Sequence, residues 1–222
     1  MEWHVEFKPS YSLLKVRLEP GESVTAEPGS MVLYKGNIVV KTHTGGGLLK
    51  GLTRALFGGE SIFLNTFTAQ QGGGEVWFAP SVPGDIEYYE LRGEELIVQD
   101  TSYLAHHGDL DIGVAWRGFR GLLAEGELFW LKIKGRGGVW LSSYGGISRI
   151  DLGLGETMII DNFHFVAMTS GMDWRVRKFG GIKSFVLGGE GIVIEVTGPG
   201  TVFVQSRSLP PFVEFIRKYL RR

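Results

Sequence analysis

The run from His106 to Asp111, His-His-Gly-Asp-Leu-Asp, is the part of the sequence that most resembles a set of metal ligands. On an extended strand His107, Asp109 and Asp111 share one face, while His106 points to the other. One imidazole and two carboxylates suit a hard or borderline divalent cation. The same residues around a glycine are also typical of a polar turn. The pattern therefore gives His107, Asp109 and Asp111 only as weak metal candidates, and we predict no resident metal.

Other catalytic or cofactor patterns are incomplete. The stretch 46–53 has the glycine spacing of a phosphate-binding loop, but Leu52 occupies the position where the phosphate-contacting lysine is required. Ser142, Ser143 and Ser206 lack the strand, G-x-S-x-G and helix context of a nucleophilic serine. We predict no catalytic residue and no cofactor, and the chain is not expected to be an enzyme.

Two sets of glutamates recur three times each and could be mistaken for acid/base pairs. The first set is Glu22, Glu94 and Glu156, and the second is Glu60, Glu127 and Glu190. Each member follows a glycine-containing turn at an equivalent point of the sequence. A repeated structural role is expected for such residues, with the carboxylate accepting hydrogen bonds from nearby backbone amides.

The elements that carry these residues form an internal repeat. Val76, Val139 and Val202 lie 63 residues apart in both steps, within similar strand-like motifs, and the recurring glutamates keep the same order around them. This pattern predicts three units of about 65 residues. We place the units at about 1–81, 82–144 and 145–207, within a single body that spans residues 1–222.

Within a unit the residue pattern is that of β-structure. Short runs of β-branched and aromatic residues alternate with glycine-rich turns, and the chain contains 34 glycines. Leu14, Val16 and Leu18 alternate with polar residues, as in a half-buried strand. The predicted fold is all-β, with triplicated antiparallel sandwich-like or barrel-like units in a pseudo-threefold arrangement.

Two segments have helical rather than β periodicity. A short inserted helix is predicted over 48–57, where it either plugs the β-body or docks on a membrane or protein partner. Its candidate docking residues are Leu48, Leu49, Lys50, Leu52, Arg54, Leu56 and Phe57. A C-terminal helix is predicted over about 210–222 with a stripe of Phe212, Phe215, Ile216 and Tyr219. This stripe either packs on its own body or forms an oligomer contact.

Two motifs resemble a known family. The stretch 45–69, G-G-G-L-L-K-G-L-T-R-A-L-F-G-G-E-S-I-F-L-N-T-F-T-A, and the stretch 18–32 are similar to an uncharacterised β-protein family related to the altered-inheritance-of-mitochondria protein of fungi. The resemblance covers essentially the whole chain. It implies a fold like that of the tryptophan RNA-binding attenuation protein, and no established catalytic residue or cofactor. It also implies, for the mitochondrial relative, a link to inner-membrane organisation.

Composition excludes several classes of protein. The formal net charge of −1 and the placement of aromatic residues inside strand-like runs disfavour nucleic-acid binding. The chain contains no cysteine, which excludes disulfide scaffolds and thiolate metal sites. No apolar run is long enough to span a membrane as a helix, and no signal peptide is visible. Asparagine and glutamine are scarce, which favours a thermostable protein.

These observations predict a cytoplasmic, homo-oligomeric β-protein that can associate peripherally with a membrane. Its expected function is that of a non-catalytic binding or scaffold protein. The alternative is an enzyme or small-ligand-binding protein that uses a cavity between units, with a divalent metal near 106–111.

Overall fold

The computed structural model describes residues 1–44, 63–117, 129–179 and 191–220. These residues form mostly antiparallel strands with one α-helix, which confirms the predicted all-β class. The first strands are β1 (Glu2–Glu6), β2 (Leu13–Leu18), β3 (Ser23–Ala26), β4 (Met31–Thr44) and β5 (Phe63–Phe78). They are followed by β6 (Ile86–Gln99), a 3₁₀ turn (Asp100–Ser102), β7 (Tyr103–Arg117) and β8 (Phe129–Ser142). The last elements are β9 (Ile147–Leu152), β10 (Thr157–Asp161), β11 (Phe165–Thr169), β12 (Asp173–Lys178), β13 (Ile192–Thr197), β14 (Gly200–Gln205) and helix α1 (Leu209–Leu220).

Most strands join one large antiparallel sheet. Among the described residues its order is β1-β2-β5-β3-β7-β8-β6-β11-β14-β9, with β4 paired to β5. A second sheet has the order β10-β13-β12. The alternation expected in β2 is present, since Leu14, Val16 and Leu18 are buried and Arg17 is exposed.

The three valines that define the predicted repeat occupy the same place in the pairing pattern. Each is fully buried on a strand that has an antiparallel partner on both sides. Val76 pairs with Val16 and Tyr34, Val139 with Tyr89 and His106, and Val202 with Ile150 and Met168. These registers support the triplication, which stays a prediction together with the pseudo-threefold arrangement.

Gly36 on β4 and Gly108 on β7 occupy corresponding positions in the pairing pattern, opposite Gly74 and Gly137. Gly36 and Gly108 have φ values of 86° and 87°, in the left-handed region that favours glycine. A Cβ at Gly36 would lie 2.7 Å from the carbonyl oxygen of Gly73, and one at Gly108 would lie 2.6 Å from that of Arg136. Both positions therefore require glycine for conformation and for space.

Neighbouring predicted units are joined edge to edge by short stretches of strand. At the first junction β3 pairs with β7, with Thr25 opposite His106 and Ala26 opposite Ala105. At the second junction β6 pairs with β11. Its register places Leu96 opposite Thr169, Ile97 opposite Met168 and Val98 opposite Ala167.

Aromatic packing also crosses the second junction. Trp130 on β8 is buried, and its ring centroid lies 4.7 Å from that of Phe165 and 4.9 Å from that of Trp174. Ile97 of β6 belongs to the same buried cluster, together with residues of β11, β13 and β14. The core is thus continuous across this boundary between the predicted units.

The two predicted helices have different outcomes. The C-terminal helix is confirmed as α1, which begins at Leu209 and extends to Leu220. The inserted helix over 48–57 lies outside the described residues, as do its docking candidates Leu48, Leu49, Lys50, Leu52, Arg54, Leu56 and Phe57.

The shared core leads us to expect cooperative unfolding. Trp130→Ala should lower the free energy of unfolding by about 3–5 kcal/mol, because it removes a large buried side chain from between two units. Denaturation by urea, followed by circular dichroism and tryptophan fluorescence, should show one transition in both proteins. Tyr11→Ala, at an exposed aromatic residue, is the control and should cost less than about 0.5 kcal/mol. Two separate transitions in the wild-type protein would contradict a shared core.

Candidate functional site

The two histidines predicted to point in opposite directions do so. His106 is buried and shares a 2.6 Å hydrogen bond through Nδ1 with the Tyr103 hydroxyl. Burial lowers the pKa of His106 to about 4, so its imidazole is neutral at physiological pH. His107 is half-buried and shares a 3.0 Å hydrogen bond through Nε2 with the Tyr88 hydroxyl.

His107 lies within an aromatic cluster formed with Trp3, Tyr88 and Trp140. The Tyr88 and His107 rings are stacked, with an interplanar angle of 5° and centroids 6.0 Å apart. The Trp140 centroid lies 5.3 Å from His107, and the Trp3 centroid 4.6 Å from Tyr88. Burial is the main cause that lowers the pKa of His107. These contacts give the imidazole a packing role.

The structure does not bring His107, Asp109 and Asp111 together as metal ligands. Asp109 and Asp111 are exposed, and Asp111 forms a 3.8 Å ion pair with Lys134. The positive φ of Gly108 interrupts the regular extended conformation on which their shared face depended. The part of the chain that the structure describes contains no group of three or more His, Asp or Glu placed to bind a metal ion. The geometry of the described residues thus gives the weak candidate site at His107, Asp109 and Asp111 no support.

The structural role predicted for the first glutamate set is confirmed. One carboxylate oxygen of each glutamate accepts a 2.9 Å hydrogen bond from a backbone N–H at the start of its own turn. The donors are Glu19 for Glu22, Arg92 for Glu94 and Gly153 for Glu156. Glu60, Glu127 and Glu190 lie outside the described residues.

Two half-buried carboxyl groups that the sequence did not single out lie near the first junction. Glu27 follows β3, and Asp100 lies in the 3₁₀ turn between β6 and β7. Burial, with the nearby negative charge of Asp100, raises the pKa of Glu27 to about 7. Burial also raises the pKa of Asp100 to about 6, and its Oδ1 has no hydrogen-bond partner. In the sequence each is an acidic residue in a turn, with no pattern that links one to the other. Only the pairing of β3 with β7 brings them into one environment.

Helix α1 presents its apolar stripe to solvent. None of its residues is buried, and Phe212, Phe215, Ile216 and Tyr219 are 37–70% exposed. Phe212 contacts the body through Tyr144, with ring centroids 5.9 Å apart. The stripe is therefore not packed into the core of its own chain. Among the described helices none is long and apolar enough to cross a membrane.

The half-buried acids predict a pH-dependent stability. The native-state pKa of Glu27 lies above its ordinary value of 4.5, so the folded protein binds the proton more tightly than the unfolded chain. The contribution of Glu27 to stability is therefore present below pH 4.5 and is lost as the pH rises through 7. Glu27→Gln should be more stable than wild type at pH 8, by on the order of 2 kcal/mol, and similar to it near pH 4.

Urea denaturation at several pH values measures this difference. Glu19→Gln replaces an exposed carboxylate and should follow the wild-type profile. An unchanged pH profile in Glu27→Gln would show that Glu27 does not titrate with a raised pKa.

Comparison with known proteins places the chain among relatives of similar length. Residues 3–207 match the family described as mitochondrial biogenesis AIM24. An uncharacterised protein of Streptococcus pyogenes serotype M6 is 31% identical over 233 residues, covering 99% of this chain and 91% of that protein. The crystal structure of a Streptococcus pyogenes protein, a structural genomics target, has a TM-score of 0.82 and 30% identity. It covers 98% of this chain and 99% of its own.

These matches confirm the family resemblance that the 18–32 and 45–69 motifs indicated. The likeness of the fold to the tryptophan RNA-binding attenuation protein stays a prediction. Because the match extends over nearly the whole chain, the protein belongs to the mitochondrial biogenesis AIM24 family.

Proposed function

We propose that this chain is a non-catalytic binding or scaffold protein that attaches peripherally to membrane surfaces through α1. The observation that carries the proposal is the exposed apolar face of this helix. In an α-helix Phe212, Phe215, Ile216 and Tyr219 lie on one side, and Glu214, Arg217 and Lys218 on the other. A helix of this kind lies in the interface of a bilayer with its apolar face in the acyl boundary.

The charge of the helix fits an anionic surface. Arg217 and Lys218 lie in the last turn of α1. Basic residues near an anionic membrane contribute about 1 kcal/mol each, and apolar side chains about 1.5–3 kcal/mol when fully buried. A 12-residue helix offers only a few such groups, so attachment through one copy is expected to be reversible.

A non-catalytic role is supported by the use of the titratable side chains. Glu22, Glu94 and Glu156 bond to backbone amides, and His106 and His107 bond to tyrosine hydroxyls. These bonds serve the fold. Among the described residues, the histidines, aspartates and glutamates that were candidates for chemistry do not meet at one site.

A small-ligand or enzymatic function is the second candidate. The observation in its favour is the pair Glu27 and Asp100, because carboxyl groups whose pKa values are raised by desolvation cluster at functional sites. Isothermal titration of the purified protein with Mg²⁺, Mn²⁺ and Zn²⁺ tests its metal-dependent form. Stoichiometric binding that is lost in Asp100→Asn would favour it over a scaffold.

Co-sedimentation with lipid vesicles tests the membrane proposal. Wild-type protein should sediment with phosphatidylserine-containing vesicles and much less with purely zwitterionic ones. Phe215→Glu should weaken binding about tenfold or more, because it places a charge in the apolar face of α1.

Leu154→Glu is the matched control. Leu154 is an apolar residue that is 90% exposed in the turn between β9 and β10, so the same substitution there should leave lipid binding unchanged. Circular dichroism verifies that both variants are folded. Absence of sedimentation by the wild type, or equal sedimentation by Phe215→Glu, would refute membrane attachment through α1.

A further inference from the structure

The two junctions inside the chain use the same pair of edges each time. At each junction a strand of one predicted unit, β3 or the Leu96–Val98 part of β6, pairs antiparallel with a strand of the next predicted unit, β7 or β11. The residues in register are almost completely covered. Thr25 and His106 are each 8% exposed, and Ile97 and Met168 are 6% and 0% exposed.

Register identifies the corresponding edges at the two ends of the series. Ile97 of β6 pairs with Lys132 on β8, and Ile159 of β10 pairs with Glu195 on β13. Glu195 lies 63 residues after Lys132, which is the spacing of the predicted repeat. His106 of β7 pairs with Val139, and Tyr34 of β4 pairs with Val76, which lies 63 residues before Val139. Tyr34 is thus the first-unit equivalent of His106, and Ile159 the third-unit equivalent of Ile97.

These two edges have no junction partner within the described part of the chain. β4 pairs only with β5, and β10 only with β13. Tyr34 is 47% exposed and Ile159 is 52% exposed, whereas their internal equivalents are almost completely covered. An apolar edge strand with free N–H and C=O groups is a template for pairing with another chain.

We infer that β10 of one copy pairs antiparallel with β4 of a second copy and repeats the internal junction between chains. The registers of the two internal junctions define the register expected between chains. In it Ile159 lies opposite Tyr34, Ile160 opposite Leu33, and Met158 opposite Lys35. The partner is a second copy because each chain carries both halves of a junction that it already forms twice internally.

This contact is head-to-tail, since the two copies contribute different edges. Such a contact leaves one β4 edge and one β10 edge free in any open series, and it satisfies every junction only when the series closes. The expected assembly is therefore a closed cyclic homo-oligomer. The assembly does not depend on lipid binding by α1, and its mass is measured without lipid. The membrane proposal and the assembly proposal can therefore fail separately.

Complementary variants test this geometry. Light scattering of the wild type at micromolar concentration should give a multiple of the 24.5 kDa chain mass. Tyr34→Lys and Ile159→Lys should each raise the concentration at which the assembly dissociates by about tenfold or more, because a buried apolar contact is replaced by a charge. Val39→Lys is the control. It changes a 41% exposed residue on the same strand β4, outside the expected register, and should keep the wild-type mass.

Mixing separates a head-to-tail contact from a symmetric one. Tyr34→Lys retains an intact β10 edge, and Ile159→Lys retains an intact β4 edge. An equimolar mixture should therefore form a complex of two chains, twice the chain mass, that neither variant forms alone. The double variant Tyr34→Lys/Ile159→Glu should recover the cyclic assembly, because opposite charges then face each other across the strands.

Three results would overturn the inference. They are a monomeric wild type, a wild-type mass in both single variants, and a failure of the mixed variants to form a complex while their circular dichroism is native.

Discussion

Every strand in an antiparallel sheet carries peptide N–H and C=O groups along both edges, and those groups must find partners when they leave water. This requirement governs the organisation of the chain. The strands β5 and β8 are paired on both sides, and the outer edges of their partners β3 and β6 pair with a strand of the following predicted unit, β7 or β11. The pairing that completes one unit thus also attaches it to the next. The buried clusters form on both sides of these attachments, and the core around Trp130 depends on the second of them.

Features that depend on local chemistry were predictable from the sequence. Alternation identified the strand at Leu14–Leu18, and apolar spacing identified the C-terminal helix. The structural role of Glu22, Glu94 and Glu156 was predicted from their recurrence, because a side chain that recurs at equivalent turns indicates an interaction common to those turns. All of these are short-range effects, in which a residue acts on groups within a few positions of itself.

Features that depend on long-range pairing were not predictable in the same way. The metal candidates at His107, Asp109 and Asp111 assumed a regular strand, but a glycine with positive φ lies among them. The shared environment of Glu27 and Asp100 arises only because β3 pairs with β7, and nothing in the sequence specifies that partner. The exposed stripe of α1 depends likewise on where the helix lies relative to the sheets. Apolar spacing identifies the stripe without saying what covers it.

The three glutamate turns have a consequence for engineering. Each turn carries its own side-chain acceptor, a glutamate carboxylate that accepts a hydrogen bond from a backbone N–H two or three residues earlier in the chain. This local bond encodes part of the conformation of each turn, and at Gly21 and Gly155 the backbone N–H also donates to the carbonyl oxygens of Ala69 and Gly198 in neighbouring segments. Because the turns at Glu22 and Glu156 share this local bond and a matching backbone bond to the sheet, we expect one to serve as a template for redesign of the other. The turns at Glu22 and Glu156 are thus candidate sites for loop exchange on one β-framework.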